Sequence, residues 1–89
     1  MENCEQRLEK LREEIDITDR KIIDCLERRM KLVEEIGRLK LEMGMEVVQE
    51  ARRSEVMEKW KRQSTLTDEA VEDIYGAIHR AAVEVQKKM

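Results

Sequence analysis

One uninterrupted helical pattern, from about Glu5 to Met43, does most to limit what this chain can fold into. Its apolar residues recur at alternating steps of three and four and form one seam along the helix. The seam consists of Leu8, Leu11, Ile15, Thr18, Ile22, Cys25, Arg29, Leu32, Ile36 and Leu39. Such a helix is about 55 Å long, whereas a compact chain of this length is only about 30 Å across. The remaining residues are therefore too few to cover it.

Two shorter helices are predicted in the rest of the chain. Gly44 provides a stop signal after the first helix, and the second helix runs from about Val48 to Gln63. The third begins after Thr67, a predicted N-cap, and ends near Lys87. The composition, with 44% charged residues, no proline and two aromatic residues, favours an all-α fold. We expect one small domain, residues 1–89, with three helices.

The uncovered seam of the long helix predicts self-association. The simplest arrangement is a two-fold homodimer in which the long helices pair antiparallel. Two chains would then contribute six helices. The same periodicity is typical of a plain coiled coil, so a non-enzymatic helical dimerisation module is an alternative.

Charge and hydropathy argue against several classes of protein. The net charge is −3 and no basic block contains interleaved aromatic residues, so nucleic-acid binding is not expected. No apolar run reaches the roughly 18 residues of a membrane span, and the first residues, MENCEQ, do not resemble a signal peptide. Cys4 and Cys25 lack metal-ligand spacing and are predicted to be free thiols. We therefore expect a cytoplasmic protein that holds no metal or other cofactor.

Arg29 interrupts the apolar seam within the stretch ERRMKLVEEIGRLK. A guanidinium on a buried seam is unfavourable unless an anion or a hydrogen-bond acceptor meets it. Lys40 lies on the same face, because eleven steps of 100° return to within about 20°. The two cations are about 16 Å apart along the helix axis and could bracket a small anion. The alternatives for Arg29 are a salt bridge to a glutamate of a facing helix, or a side chain that extends to the surface. The alternative for Lys40 is an ordinary exposed position.

Three further polar residues have notable positions. Arg52 is eight residues before Trp60 and is predicted on the inner face of the second helix, where its stem could instead simply cover Trp60. Gln86 lies beside the apolar stripe of the third helix, unless it belongs to a frayed terminus. Arg12 is about 25 Å along the helix from Arg29 and is rotated by about 100°. Arg12 therefore cannot join Arg29 within one chain, but an antiparallel partner helix could bring it to the same site.

The stretch LREEIDITDRKIIDCLERRMKLVEEIGRLK, residues 11–40, resembles the first helix of the all-helical class of chorismate mutases. The matching positions are Leu11-Arg12, Ile15-Asp16, Asp19, Arg28-Arg29 and Lys40. GMEVVQEARRSEV resembles the loop and the second-helix start of that family, and AAVEVQ resembles the end of its third helix. The resemblance covers nearly the whole chain. It implies an intertwined six-helix homodimer with two active sites, each lined mainly by one chain.

The resemblance also implies a reaction, the rearrangement of chorismate to prephenate in the shikimate pathway of aromatic amino-acid biosynthesis. Arg29, Lys40 and Arg52 would line one site, and Arg12 would enter it from the partner chain. Arg12 and Arg29 would bind carboxylates, whereas Lys40 and Gln86 would donate hydrogen bonds to the ether oxygen. The alternatives on the same scaffold are isochorismate pyruvate lyase and aminodeoxychorismate mutase.

Three predicted substrate-binding positions depart from the family pattern. Arg53 stands where the family usually has an acidic residue that binds the substrate hydroxyl. Gln49 occupies a loop position often held by aspartate, and it could contribute its backbone N–H. Ala82 occupies a serine position on the third helix. The binding of the hydroxyl is therefore the part of the site that the resemblance supports least.

Overall fold

The computed structural model describes all 89 residues and consists of three α-helices joined by short connections. Helix α1 spans Cys4–Met43, α2 spans Glu50–Gln63 and α3 spans Asp68–Lys87. The predicted all-α class with three helices is confirmed. The observed starts of α1 and α2 differ from the predicted ones by one residue and two residues.

The helix boundaries follow the local signals in the sequence. Gly44 has a φ of 66°, a left-handed conformation that glycine adopts without steric cost. The N–H of Met45 then donates to the carbonyl of Lys40 at 2.8 Å, which closes the end of α1. Thr67 is the N-cap of α3, as predicted, and its hydroxyl accepts the N–H of Ala70 at 3.1 Å.

The chain divides into two compact units, residues 1–31 and residues 32–89, which are described separately. The first unit is the amino-terminal part of α1 with the three residues before it, and it contains no buried residue. The seam residues Leu11 and Ile15 are 56% and 58% exposed. The side-chain ion pairs of this unit lie on the surface of the helix, as between Arg20 and Asp24 at 2.6 Å. This unit thus has no apolar core of its own.

The second unit contains the core of the chain. The buried apolar side chains are Val33, Val71, Tyr75 and Ala82. The ring of Trp60 on α2 packs edge-on against Tyr75 on α3, with ring centroids 5.0 Å apart. Lys61 and Glu72 form an ion pair of 2.7 Å between the same two helices. These contacts fix the position of α3 relative to α2. The last turn of α3 carries Gln86.

Two smaller predictions also concern the whole chain. Cys4 and Cys25 are exposed free thiols, as predicted. None of the three helices combines the length and the apolar character that a membrane span requires.

Candidate active site

Lys40 and Gln86 meet in the second unit, although 46 residues separate them in the sequence. The ammonium of Lys40, at the end of α1, donates to Gln86 Oε1 at 3.1 Å. It also donates to the carbonyl of Val47 at 2.6 Å, in the connection between α1 and α2. Both side chains are half-buried. The alternative that Lys40 is an ordinary exposed lysine is therefore wrong, and the ammonium has no acidic partner in the chain.

The carboxamide of Gln86 is held from its other side as well. Its Nε2 donates to the backbone carbonyl of Val33 at 2.9 Å. Because a carbonyl only accepts and an ammonium only donates, the amide must present Nε2 to Val33 and Oε1 to Lys40. Gln86 lies within α3 and makes two hydrogen bonds to other parts of the fold, so the alternative of a frayed terminal glutamine is wrong.

The first turn of α2 carries two of the predicted substrate-binding residues, Arg52 and Arg53. Arg52 is 67% exposed and pairs with Glu55 at 2.9 Å. The prediction that Arg52 faces inward is therefore wrong for the packing within this chain, because the acid one turn later holds the guanidinium at the surface. Arg53 is the more buried of the two arginines, with 42% of its side chain exposed and its Nε buried without a hydrogen-bond acceptor.

Gln49 occupies the N-cap position of α2 but does not cap the helix with its side chain. Its side-chain Nε2 instead donates to the backbone carbonyl of Glu46 at 2.8 Å. The backbone carbonyl of Gln49 accepts the backbone N–H of Arg53 at 2.9 Å. The side chain therefore stabilises the connection before α2. Ala82 is buried on α3, where it forms part of the apolar core.

Two open cavities lie elsewhere in the second unit. One, of about 320 Å³, lies at the turn between α2 and α3 and is lined by Trp60, Gln63, Ser64, Leu66, Val71 and Ile74. It contains none of the predicted site residues. A smaller cavity of about 190 Å³ is lined by Arg53, Ser54, Met57 and Glu58. Neither includes Lys40 or Gln86, so the hydrogen bonds define the candidate site better than the cavities do.

The two remaining predicted residues belong to the first unit. Arg29 is half-buried and makes neither an ion pair nor a hydrogen bond with another side chain of the chain. No glutamate of this chain therefore forms a salt bridge with Arg29. Arg12 is 63% exposed, and its contact with Glu9 is long, at 3.8 Å. An exposed pair of this kind contributes little to stability, so it would release Arg12 readily.

The sequence interpretation missed the two backbone carbonyls, of Val33 and Val47, that hold the pair of Lys40 and Gln86. No side-chain pattern reveals a backbone acceptor that comes from a distant element. Gly37 is the one relevant signal, since it is the only glycine inside the first helical pattern and it is buried. It lies one turn after Val33 and one turn before Lys40.

The chain is similar to a known protein family and to a solved structure. The sequence profile of the family described as chorismate mutase type II matches residues 11–87. This chain belongs to the chorismate mutase type II family. Among solved structures, the chain is similar to the form II chorismate mutase from Thermus thermophilus, with 28% sequence identity and a TM-score of 0.89.

That match covers 93% of this chain and 97% of the Thermus chorismate mutase. A comparison with curated protein sequences gave no match. The family and the structural match together agree with the reaction class that the sequence motifs indicate, and Lys40 and Gln86 are the motif residues that the fold of the second unit brings together.

Proposed function

We propose that this chain is a chorismate mutase that rearranges chorismate to prephenate. The observation that carries the proposal is the half-buried pair of Lys40 and Gln86, which has no acidic partner. The reaction is an intramolecular pericyclic shift, in which one C–O bond breaks as one C–C bond forms. It needs positioning of the substrate and stabilisation of the charge that develops on the ether oxygen, and it needs no protein nucleophile. Membership of the family supports the same reaction.

Lys40 and Gln86 retain the donors that this chemistry requires. An ammonium has three N–H donors, and Lys40 uses two of them within the protein. A carboxamide has two N–H donors, and Gln86 uses one of them. One N–H of each residue is therefore left to donate to the ether oxygen. The charged donor favours the transition state because that oxygen is more anionic there than in the bound substrate.

The carboxylates of chorismate would be bound by arginines. Arg29 is half-buried without an anion from its own chain, and an external carboxylate would provide the bidentate partner that a guanidinium prefers. Arg12 would supply the second such contact from a partner chain, and Arg52 would add positive potential. The hydroxyl of the substrate would be bound at the remaining predicted positions, which are Gln49, Arg53 and Ala82.

The proposal includes a homodimer with Arg12 donated across the interface. The apolar seam of α1 supports it, because seam residues in both units are about half exposed, including Leu11 in the first and Leu39 in the second. A soluble chain that leaves such a stripe uncovered exposes an interaction surface. We expect sedimentation at micromolar concentration to give about twice the chain mass of 10.6 kDa. A folded and active monomer would contradict the dimer and the role of Arg12.

A direct assay of prephenate formation tests the activity. The purified protein should convert chorismate to prephenate without an added metal or cofactor. Release of pyruvate from isochorismate, or rearrangement of aminodeoxychorismate, would identify one of the alternative activities. A folded protein that acts on none of these substrates would favour the non-enzymatic dimerisation module. The cytoplasmic location and the role in aromatic amino-acid biosynthesis belong to the same proposal.

A further inference from the structure

Gly37, on α1, faces side chains from the end of α3. A Cβ atom on this residue would be 2.7 Å from Met89 Sδ and 3.1 Å from Gln86 Cγ. Gly76, in the middle of α3, differs because a Cβ there would meet only Arg80 Nη1 at an ordinary 3.5 Å. Neither residue has a positive φ. The glycine at position 37 therefore provides space, and the backbone conformation does not require it.

The space at Gly37 gives access to the carbonyl of Val33. In an α-helix the carbonyl of Val33 accepts the N–H of Gly37, four residues later. A helical side chain covers the turn on the amino-terminal side of its own Cα, so a side chain at position 37 would cover this carbonyl. With glycine there, the second lone pair of the carbonyl accepts Gln86 Nε2 at 2.9 Å.

This hydrogen bond determines which atom faces Lys40. With Nε2 committed to Val33, the carboxamide presents Oε1 to the ammonium of Lys40 at 3.1 Å. That distance is already near the upper end of the range for N–H···O hydrogen bonds. A shift of Gln86 by a few tenths of an ångström would therefore weaken both contacts of the carboxamide.

We propose that Gly37 is a positioning residue of the active site, which orients Gln86 and, through Gln86, the ammonium of Lys40. Gly37 touches no reacting atom. The inference rests on the proposed function where it concerns catalysis, whereas its geometric part can be tested in the protein without substrate.

The first test compares Gly37→Ala with Gly76→Ala in the full chain. Both substitutions place alanine within a helix, where it is favoured over glycine, so both variants should remain folded by circular dichroism. Gly37→Ala should lower kcat for prephenate formation by about 10-fold, because small displacements of catalytic groups reduce rates strongly. Its KM should stay within about two-fold of the wild-type value, since binding by the arginines is unchanged. Gly76→Ala should leave both constants within about two-fold. Normal kcat in Gly37→Ala would overturn the inference.

A double-mutant cycle then tests whether the effect passes through Gln86. In the Gln86→Ala background, Gly37→Ala should cause almost no further loss of kcat, because the group that it displaces is absent. Losses that multiply independently would overturn the inference.

Met89→Ala provides a second test, since Met89 Sδ is the closest atom to the added Cβ. Full recovery of kcat in Gly37→Ala with Met89→Ala would assign the effect to Met89 and would also overturn the inference.

A measurement without substrate separates this inference from the proposed function. In the wild-type protein, NMR should detect a coupling through the hydrogen bond between Gln86 Nε2 and the carbonyl carbon of Val33. The coupling should persist in Gly76→Ala and disappear in Gly37→Ala. Its absence from the wild-type protein would overturn the geometric part. If the wild-type protein forms no prephenate, the proposed function fails, and the NMR result alone decides whether Gly37 orients Gln86.

Discussion

The two units of the chain have similar helical patterns but are stabilised differently. In residues 1–31 every apolar seam residue is at least partly exposed, and the side-chain contacts are surface pairs such as that of Arg20 with Asp24. In residues 32–89 apolar side chains are buried, and an aromatic contact and an ion pair join α2 to α3. The second unit thus has a core within one chain, whereas the first presents its apolar face outward.

This difference also separates two kinds of functional residue. Lys40 and Gln86, in the second unit, are oriented by hydrogen bonds to other residues of the same chain. Arg12 and Arg29, in the first unit, have no comparable contacts: Arg12 has one long surface pair and Arg29 has none. Under the proposed function, Lys40 and Gln86 donate hydrogen bonds to the reacting ether oxygen. Arg12 and Arg29 bind substrate carboxylates, and Arg12 does so across the interface with a partner chain.

The largest effect is expected from the arginines of the first unit. Arg12→Ala and Arg29→Ala homodimers should each lose about 10³-fold or more in kcat/KM, because each leaves a substrate carboxylate without its bidentate partner. Arg20→Ala is the matched control, since it removes an exposed ion pair of the same helix. It should stay within about two-fold of the wild-type protein. Steady-state prephenate assays would measure all three.

Mixed dimers of the same two variants then test whether the site is shared. An Arg12→Ala chain retains its main pocket, and an Arg29→Ala chain can donate its intact Arg12. Each mixed dimer should therefore regain about one functional site out of two. If fully exchanged mixed dimers stay inactive, both arginines act within one chain, and the proposed need of the first unit for a partner chain is wrong.

Lys40→Ala should have the next largest effect. Loss of a donor aimed at developing negative charge typically lowers kcat by about 10²- to 10³-fold. The core of the second unit does not include Lys40, so the variant should keep its helical circular dichroism signal. Lys59→Ala, at an exposed position of α2, is the control and should retain normal kcat. A near-normal kcat for Lys40→Ala would remove the ether-oxygen mechanism altogether.

The periodicity of the sequence predicts the helices of both units, because each helix end depends on local chemistry. Gly44 and Thr67 stop and start helices through their own backbone and hydroxyl groups, so their roles could be predicted from neighbouring residues alone. The seam of α1 likewise predicted which side chains would be apolar and uncovered. These features need no knowledge of tertiary contacts.

The site could be predicted only in part, since its details depend on contacts between distant elements. The motif predicted Lys40 and Gln86, but the carbonyls that orient them belong to Val33 and Val47, which no side-chain pattern marks. The orientation of Arg52 within this chain is predicted wrongly, because the inward face of α2 was inferred from the spacing of its apolar residues. The ion pair of Arg52 with Glu55 holds the guanidinium outward instead.

Gln86→Glu should have a smaller, pH-dependent effect. At neutral pH an ionised carboxylate would face the carbonyl of Val33 and repel a dianionic substrate, whereas a protonated carboxyl would regain one of the amide's two donors. Activity of this variant should therefore rise as the pH falls toward about 5, close to the ordinary titration range of a glutamic acid. Gln63→Glu, at an exposed position, should keep the wild-type pH profile. A flat profile for Gln86→Glu would separate Gln86 from the reacting oxygen.

The smallest effect is expected at Lys61, which is outside the proposed site and pairs with Glu72 between α2 and α3. The hydrogen bond to Glu72 raises the pKa of Lys61 above its ordinary value of 10.5; partial burial opposes this shift, and the charges of Glu72, Glu58 and Asp68 reinforce it. A raised pKa in the folded state means that the pair stabilises the fold fully below about pH 10.5 and loses this contribution as the pH rises through the folded-state pKa.

Lys61→Met should therefore lower the urea midpoint slightly at pH 7, and the difference from wild type should shrink above about pH 10.5. Lys59→Met is the control, and all midpoints must be compared at one protein concentration, because dimerisation would contribute to stability. A midpoint difference that stays constant well above pH 10.5 would mean that Lys61 stabilises the contact of α2 with α3 through its apolar stem, and that its charge contributes nothing.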